Sequence, residues 1–164
     1  MVNKDQMKEL IVSTLKAMGS KYASKDAVSL VWSTGLVESG YKYIRQMGSG
    51  PARGFFQIEP KTCVSQVENY IKYRKKLAYR LSSISDTPGS LWGSTDMERW
   101  DSVLESNIIA GIIHCRLKYW RAPEAMPKTI DGYASYWKKH YNTLKGKGEV
   151  KDFLDKVGKY ADFL

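Results

Sequence analysis

Leu104 to Trp120 reads LESNIIAGIIHCRLKYW, and its middle part would be apolar on nearly every side of a helix. Between Ile108 and Cys115 the side chains of a regular helix would point in all directions with almost no polar face. Such a helix belongs in a protein core, because no side of it suits water. We therefore predict a buried central helix here, with the other elements packed around it.

Helical spacing of apolar residues also marks most of the remaining chain. Ser24 can cap a helix with Asp26 in its first turn, and Pro60 fits the first position of another. No convincing strand alternation, repeat or domain linker is visible. Residues 1–164 are therefore predicted to form one all-α domain. Helices are expected from Met7 to Gly19, Ser24 to Glu38, Pro60 to Ile71, Leu104 to Trp120, Thr129 to Leu144 and Val150 to Ala161, and irregular segments from Tyr41 to Phe55 and Ser82 to Thr95.

The chain is strongly basic. It has 26 Lys and Arg against 17 Asp and Glu, a net charge of +9, which favours a polyanionic partner. Nucleic acid fits this charge, and so does the bacterial envelope with its phosphate polymers and carboxylate-bearing peptides. A basic run supplies part of the charge, although such a run is also typical of a solvated helix face. Its members are Lys72, Arg74, Lys75, Lys76 and Arg80.

Other features disfavour several classes of protein. No apolar run reaches the length of a membrane span. The first six residues do not resemble the start of a signal peptide, so we expect synthesis in the cytoplasm. His114 and His140 stand apart, so neither a metal nor another cofactor is expected. Cys63 and Cys115 are interpreted as reduced core thiols, with a disulfide as the alternative.

Glu38 lies at the margin of an apolar helix face. A carboxylate in that position is unfavourable unless it is paired or protonated. A carboxyl group with a raised pKa at the edge of a cleft is what a general acid requires. The alternative is a solvated glutamate at a helix end. The face in question is formed by Val28, Val31, Trp32 and Gly35.

Tyrosine and tryptophan are unusually frequent. The chain has five Trp and eleven Tyr but only four Phe. Their rings can stack on sugar rings while their polar tips bind hydroxyl groups, although core packing explains such residues equally well. Six of these aromatic residues lie close in sequence to Glu38 or to the motifs described below. They are Tyr41, Tyr43, Tyr133, Tyr136, Trp137 and Tyr141.

Four short motifs occur in a set order between residues 28 and 148. They are Glu38-Ser39, the segment Gly50 to Pro60 (GPARGFFQIEP), Asn107 to Gly111 (NIIAG) and Tyr141-Asn142. Together they resemble the soluble lytic transglycosylases of the lysozyme-like superfamily, including small phage endolysins. Phe55-Phe56 replaces the Leu-Met usual in that family, and the Ala and Gly that normally flank the Tyr-Asn pair are absent.

The resemblance implies a lysozyme-like helical fold and cleavage of peptidoglycan glycan strands by a monomer without a cofactor. Glu38 would protonate the β-1,4 glycosidic oxygen between N-acetylmuramic acid and N-acetylglucosamine, and the C6 hydroxyl would close a 1,6-anhydro ring. Ser39 and Tyr141 would position Glu38 or bind near it, and Gln57 and Asn142 would hold sugar substituents. Phe56 would form a wall of the pocket. A lysis enzyme held in the host cytoplasm until release and a virion-associated enzyme both fit.

Two alternatives remain open at this stage. A hydrolytic lysozyme would need a second carboxylate. A non-catalytic domain could bind glycan or nucleic acid, although the chain lacks a helix-turn-helix spacing, a phosphate-binding glycine loop and zinc-finger ligands. The carboxylates available for hydrolysis are Glu59, Asp96, Glu98 and Asp101.

Overall fold

Helices make up most of the described chain. The computed structural model describes residues 2–143 and 145–164, so Met1 and Leu144 lie outside the described residues. In the described chain, β pairing is limited to two isolated bridges around Arg53, which confirms the all-α prediction. None of the helices described is long and apolar enough to cross a membrane. The helices are α1 (Lys4–Met18), α2 (Lys25–Glu38), α3 (Pro60–Asn69), α4 (Lys75–Ser85), α5 (Met97–Ser106), α6 (Ile108–Trp120), α7 (Ile130–Trp137) and α8 (Val150–Val157).

Helix α6 is the buried central helix. Ile112, Ile113 and Cys115 have no exposed surface, and neither has His114. The helix contacts α1, α2, α3, α4 and α5. His114 stacks on Trp92 with ring centroids 5.0 Å apart, so its imidazole is part of the core. The prediction of a central helix at this position is confirmed.

The predicted helix from Leu104 to Trp120 is wrong at one residue. Asn107 ends α5 and caps α6, because its side chain competes for backbone hydrogen bonds. Asn107 Oδ1 accepts from the Ala110 amide at 2.9 Å, and Asn107 Nδ2 donates to the Ser85 carbonyl at 2.9 Å. Leu104 therefore belongs to α5, whose axis can turn independently of α6.

Local sequence signals set most of the other boundaries. Gly19 ends α1 with a φ of 139°, which favours glycine, and Ser24 caps α2 by accepting from the Ala27 amide at 3.1 Å. Pro60 is the first residue of α3. The predicted loop from Ser82 is wrong at its start, since α4 continues to Ser85. Within the rest of that loop, a short 3₁₀ helix, Gly89–Gly93, places Trp92 in the core.

The predicted helix from Thr129 to Leu144 changes its winding part-way. Helix α7 ends at Trp137 and continues as a π-helical turn, Lys138–Asn142. Thr143 then takes a φ of 69°, which ends the turn. The last predicted helix is also shorter, because α8 ends at Val157 and a 3₁₀ segment, Gly158–Phe163, follows.

Candidate active site

Glu38 is the last residue of α2 and is held from two sides. Its Oε1 accepts a hydrogen bond from Trp137 Nε1 at 2.8 Å, across 99 positions of sequence. Its backbone carbonyl accepts from the Tyr43 hydroxyl at 2.7 Å. The carboxyl group is thus fixed where α2 meets the end of α7, with Oε2 left for another partner.

The surroundings of Glu38 favour its protonated form. Burial raises the pKa of its carboxyl group above the ordinary value, while the Trp137 hydrogen bond and the charges of Lys118 and Lys156 act in the opposite direction. Burial prevails. A glutamic acid that retains its proton at higher pH than usual is suited to general acid catalysis.

Two lysines beside Glu38 were not predicted from the sequence. Lys118 on α6 donates to the Tyr141 carbonyl at 2.9 Å, and its Nζ lies 4.2 Å from the centre of the Tyr141 ring. Lys156 on α8 donates to the Val37 carbonyl at 2.8 Å, which caps the end of α2. A cation on a helix as apolar as α6 is a sequence signal that could have pointed to Lys118.

Ser39 connects Glu38 to the glycine-rich segment. Its hydroxyl donates to the Phe55 carbonyl at 2.7 Å and accepts from the Tyr41 amide at 3.0 Å. The side chain is 3% exposed, so it presents no hydroxyl to a ligand in this structure. Ser39 therefore positions the loop next to Glu38.

Tyr141 and Phe56 bind each other rather than Glu38 or a pocket. The Tyr141 hydroxyl, predicted to contact Glu38 or the sugar, donates to the Phe56 carbonyl at 2.6 Å. The Phe56 ring, predicted to form a pocket wall, is 1% exposed and packs 6.2 Å from the Tyr41 ring. A Cβ on Gly111 would come within 3.3 Å of that ring, so the glycine admits Phe56 against α6. Segments from all four motifs therefore meet here.

Gln57 and Asn142 both bind their own neighbourhood. Gln57 has a φ of 47°, and its Nε2 donates to the Gly54 carbonyl at 3.0 Å. Asn142 Oδ1 accepts from Lys138 Nζ at 3.0 Å. Lys138 also donates to the carbonyls of Gly146 and Gly148 at 2.9 and 2.5 Å, so it organises this loop. Both amide side chains are half-buried and retain capacity for further hydrogen bonds.

Most of the aromatic residues singled out in the sequence are core residues. Tyr41 donates to the Trp32 carbonyl at 2.6 Å, and Tyr133 donates to Asp26 at 2.7 Å. Tyr136 is buried and lies 5.8 Å from the Tyr119 ring. Among the six, Tyr43 is half-buried beside Glu38 and has the most accessible ring near the candidate acid.

The four acidic residues considered for a second catalytic role lie in other environments. Asp96 caps α5 by accepting from the amides of its first turn, at 3.0 and 3.2 Å. Asp101 pairs with Arg53 at 3.1 Å. A separate cavity of about 390 Å³ is lined by Glu59, Glu98 and Asp101. Glu59 pairs with Lys61 at 2.7 Å. Burial lowers the pKa of Lys118, and the charges of Glu38 and Glu59 both act against that shift, so the charge of Glu59 acts on a lysine beside Glu38.

The site offers nothing typical of a metal centre. Among the described residues, no group of three or more His, Cys, Asp or Glu side chains could hold a metal ion. Cys63 and Cys115 are both buried and free.

No family model, curated protein or solved structure matches this chain.

Proposed function

We propose that the protein is a peptidoglycan lytic transglycosylase of phage lysis or virion-associated type, with Glu38 as the single acid and base. The observation that carries this proposal is the orientation of the Glu38 carboxyl group by the Trp137 hydrogen bond of 2.8 Å, at the end of the helix whose next residue, Ser39, binds the glycine-rich segment. Burial raises the pKa of this carboxyl group, which agrees with the role of an acid. The phage setting is supported by the resemblance of the four motifs to those of small phage endolysins.

One glutamate can perform both halves of this reaction. Protonated Oε2 of Glu38 gives its proton to the glycosidic oxygen, and the bond from that oxygen to the anomeric carbon breaks through an oxocarbenium-like transition state. The C6 hydroxyl oxygen of the same sugar then bonds to the anomeric carbon and releases its proton to Glu38. In total, one carbon–oxygen bond at the anomeric carbon is broken, another is formed there, and no water is consumed.

The neighbouring residues give each half of this reaction a physical basis. Trp137 fixes Oε1, so the proton-bearing oxygen keeps one orientation. Burial raises the pKa of the carboxyl group, which favours the protonated form that is needed before cleavage. The positive charges of Lys118 and Lys156 stabilise the carboxylate that forms afterwards, which makes the second proton transfer possible without a second carboxylate.

A hydrolytic lysozyme is the second candidate, and one observation favours it. Glu59 belongs to the Gly50–Pro60 segment, which is held to Tyr141 through the Phe56 carbonyl, and the charges of Glu59 and Glu38 both act on Lys118. A water held between Glu38 and Glu59 would then attack the anomeric carbon, and the products would carry reducing ends instead of anhydro ends.

Mass spectrometry of the fragments released from purified sacculi tests the proposal. Anhydro ends are expected from the wild-type protein, and reducing ends would replace the lyase mechanism by the hydrolase mechanism. Glu38→Gln should lower activity by about 10²–10⁴-fold, the usual contribution of general acid–base catalysis. Full activity of Glu38→Gln, or intact sacculi with the wild type, would reject the assignment. Glu59→Gln is the matched control, and it should retain activity if the lyase mechanism holds.

A further inference from the structure

A cavity of about 380 Å³ lies beside the end of α2, between the loop that follows Glu38 and the C-terminal segment. This volume is in the range of small-ligand pockets. Val37 and Ser39, the neighbours of Glu38 in sequence, both line it. The Glu38 side chain points elsewhere, to Trp137. The cavity is therefore adjacent to the candidate acid but is a separate site.

Four lysines surround this cavity. Lys4, Lys42, Lys156 and Lys159 line it together with Tyr43 and Tyr160, and none of its described lining residues is acidic. The charges of Lys42 and Lys159 repel each other, and an anion in the cavity would reduce this repulsion. The cavity therefore suits a negatively charged group.

The end of helix α2 accounts for only part of this charge. A helix C-terminus attracts cations, and Lys156 satisfies that demand by donating to the Val37 carbonyl at 2.8 Å. Lys42 and Lys159 are exposed side chains on other segments, and α2 does not need them. Their amino groups can reach a ligand in the cavity.

The cavity is physically connected to the candidate active site. Tyr43 lines it and donates to the Glu38 carbonyl at 2.7 Å. Lys156 lines it, and its charge acts on the Glu38 carboxyl group. The cavity and the surroundings of Glu38 therefore share Tyr43 and Lys156.

We propose that this cavity is a subsite for the free carboxylates of the peptides attached to the glycan strand, bound by Lys42 and Lys159. The ligand class rests on the proposed function, because peptidoglycan is the substrate that carries carboxylates next to its glycosidic bonds. Two lysine ammonium groups can each donate to carboxylate oxygens, and the tyrosine rings offer apolar contact for the peptide. The subsite would make the enzyme prefer glycan strands whose peptides retain free carboxylates.

Matched substrates and matched charge variants test the subsite. The substrates are peptide-bearing glycan fragments with free carboxylates and the same fragments with those groups amidated. The test variant is Lys42→Gln/Lys159→Gln. The control variant, Lys25→Gln/Lys128→Gln, removes the same charge from two exposed lysines, one at the first residue of α2 and one just before α7. Lys25 is about 20 Å from the end of α2 at 1.5 Å per residue.

The preference of kcat/KM for the free carboxylate over the amide should fall about five- to tenfold in Lys42→Gln/Lys159→Gln, the loss expected when two solvent-exposed ion pairs are removed. It should stay at the wild-type value in the control variant. An unchanged preference in the test variant, or an equal fall in the control, would overturn the subsite.

Calorimetric titration with the free carboxylate-bearing peptide separates this proposal from the proposed function. Binding to the wild type that is lost in Lys42→Gln/Lys159→Gln supports the subsite even if no glycan is cleaved. Normal glycan cleavage with peptide binding equal in both proteins rejects the subsite alone.

Discussion

Trp137 Nε1 donates to Glu38 Oε1 at 2.8 Å, and this bond joins the last residue of α7 to the last residue of α2. Trp137 is itself buried against Phe153 of α8, with ring centroids 5.7 Å apart. The orientation of the candidate acid is therefore set by the packing of three helices.

Trp137→Phe should change the pH dependence of activity. The Trp137 hydrogen bond favours the carboxylate form, so its loss raises the pKa of Glu38 further. A general acid is active while protonated, so the alkaline limb of the kcat/KM profile should move to higher pH as the maximal rate falls. Profiles of wild type and variant check this, and a limb that stays in place or moves to lower pH would contradict it. Trp120 is a half-buried tryptophan on α6, and the variant Trp120→Phe is the control for loss of an indole ring.

Glu38→Gln should stabilise the fold at neutral pH but not at acid pH. Burial raises the Glu38 pKa above its value in the unfolded chain, so the folded protein loses stability as pH rises from the unfolded pKa through the folded pKa. The neutral amide does not have this penalty. Melting temperatures of both proteins should diverge in favour of the variant at pH 7 and converge well below the ordinary glutamate pKa of 4.5. A variant that is less stable at pH 7 would show that the ionised carboxylate contributes net stability.

Tyr141→Phe should lower both stability and activity. Loss of the hydroxyl leaves the buried Phe56 carbonyl without its donor at 2.6 Å, which costs about 1–3 kcal/mol in free energy of unfolding. Activity should fall more than tenfold, because this bond holds the Gly50–Pro60 segment against the π-helical turn that follows α7. Denaturant unfolding and a sacculus assay measure the two effects. The control is Tyr79→Phe, at a tyrosine that is 80% exposed, and it should change neither stability nor activity. If Tyr141→Phe were as active as the wild type, the Gly50–Pro60 segment would have no part in the mechanism.

Neutralising Lys72, Lys75 and Lys76 should weaken the approach to intact cell wall. These exposed lysines lie on α4 and the turn before it, next to the exposed rings of Tyr73 and Tyr79. The apparent KM on sacculi should rise and turnover of short neutral glycans should stay constant. Added salt should reduce the difference, because exposed charges are screened beyond about 8–10 Å.

A matched charge variant controls for the overall loss of charge. Lys16→Gln/Lys25→Gln/Lys128→Gln removes three other exposed lysines. If it raises the KM on sacculi as strongly, the effect belongs to net charge and not to the α4 surface.

The sequence was sufficient for the central helix and for the position of Glu38. Both depend on periodic burial, which a helix imposes on neighbouring residues. The break at Asn107 was missed, because a capping asparagine and an exposed mid-helix asparagine look alike until the Ser85 carbonyl is brought into reach. Local signals do not report such a distant acceptor.

The partners inside the site were harder to predict for the same reason. The Tyr141 hydroxyl was expected to bind Glu38 or the sugar, but it donates to the Phe56 carbonyl, and backbone groups carry no residue-specific signal in a sequence. Trp137 was singled out as an aromatic near the site, yet its bond to Glu38 depends on how α2 and α7 cross. Several side chains could donate a hydrogen bond to Glu38 as far as the sequence shows, and the packing of the helices determines which one does.

The π-helical turn Lys138–Asn142 makes the site sensitive to chain length. Such a turn holds one residue more than an α-helical turn does, and successive residues of an α-helix are rotated by about 100°. Deleting one residue from the turn could restore regular winding and better backbone geometry, yet it would swing Tyr141 away from the Phe56 carbonyl. A chain with such a deletion would keep a regular helix but lose the hydrogen bond from Tyr141 to the Phe56 carbonyl. Among related chains, the number of residues between Trp137 and Tyr141 should therefore vary less than the identity of those residues.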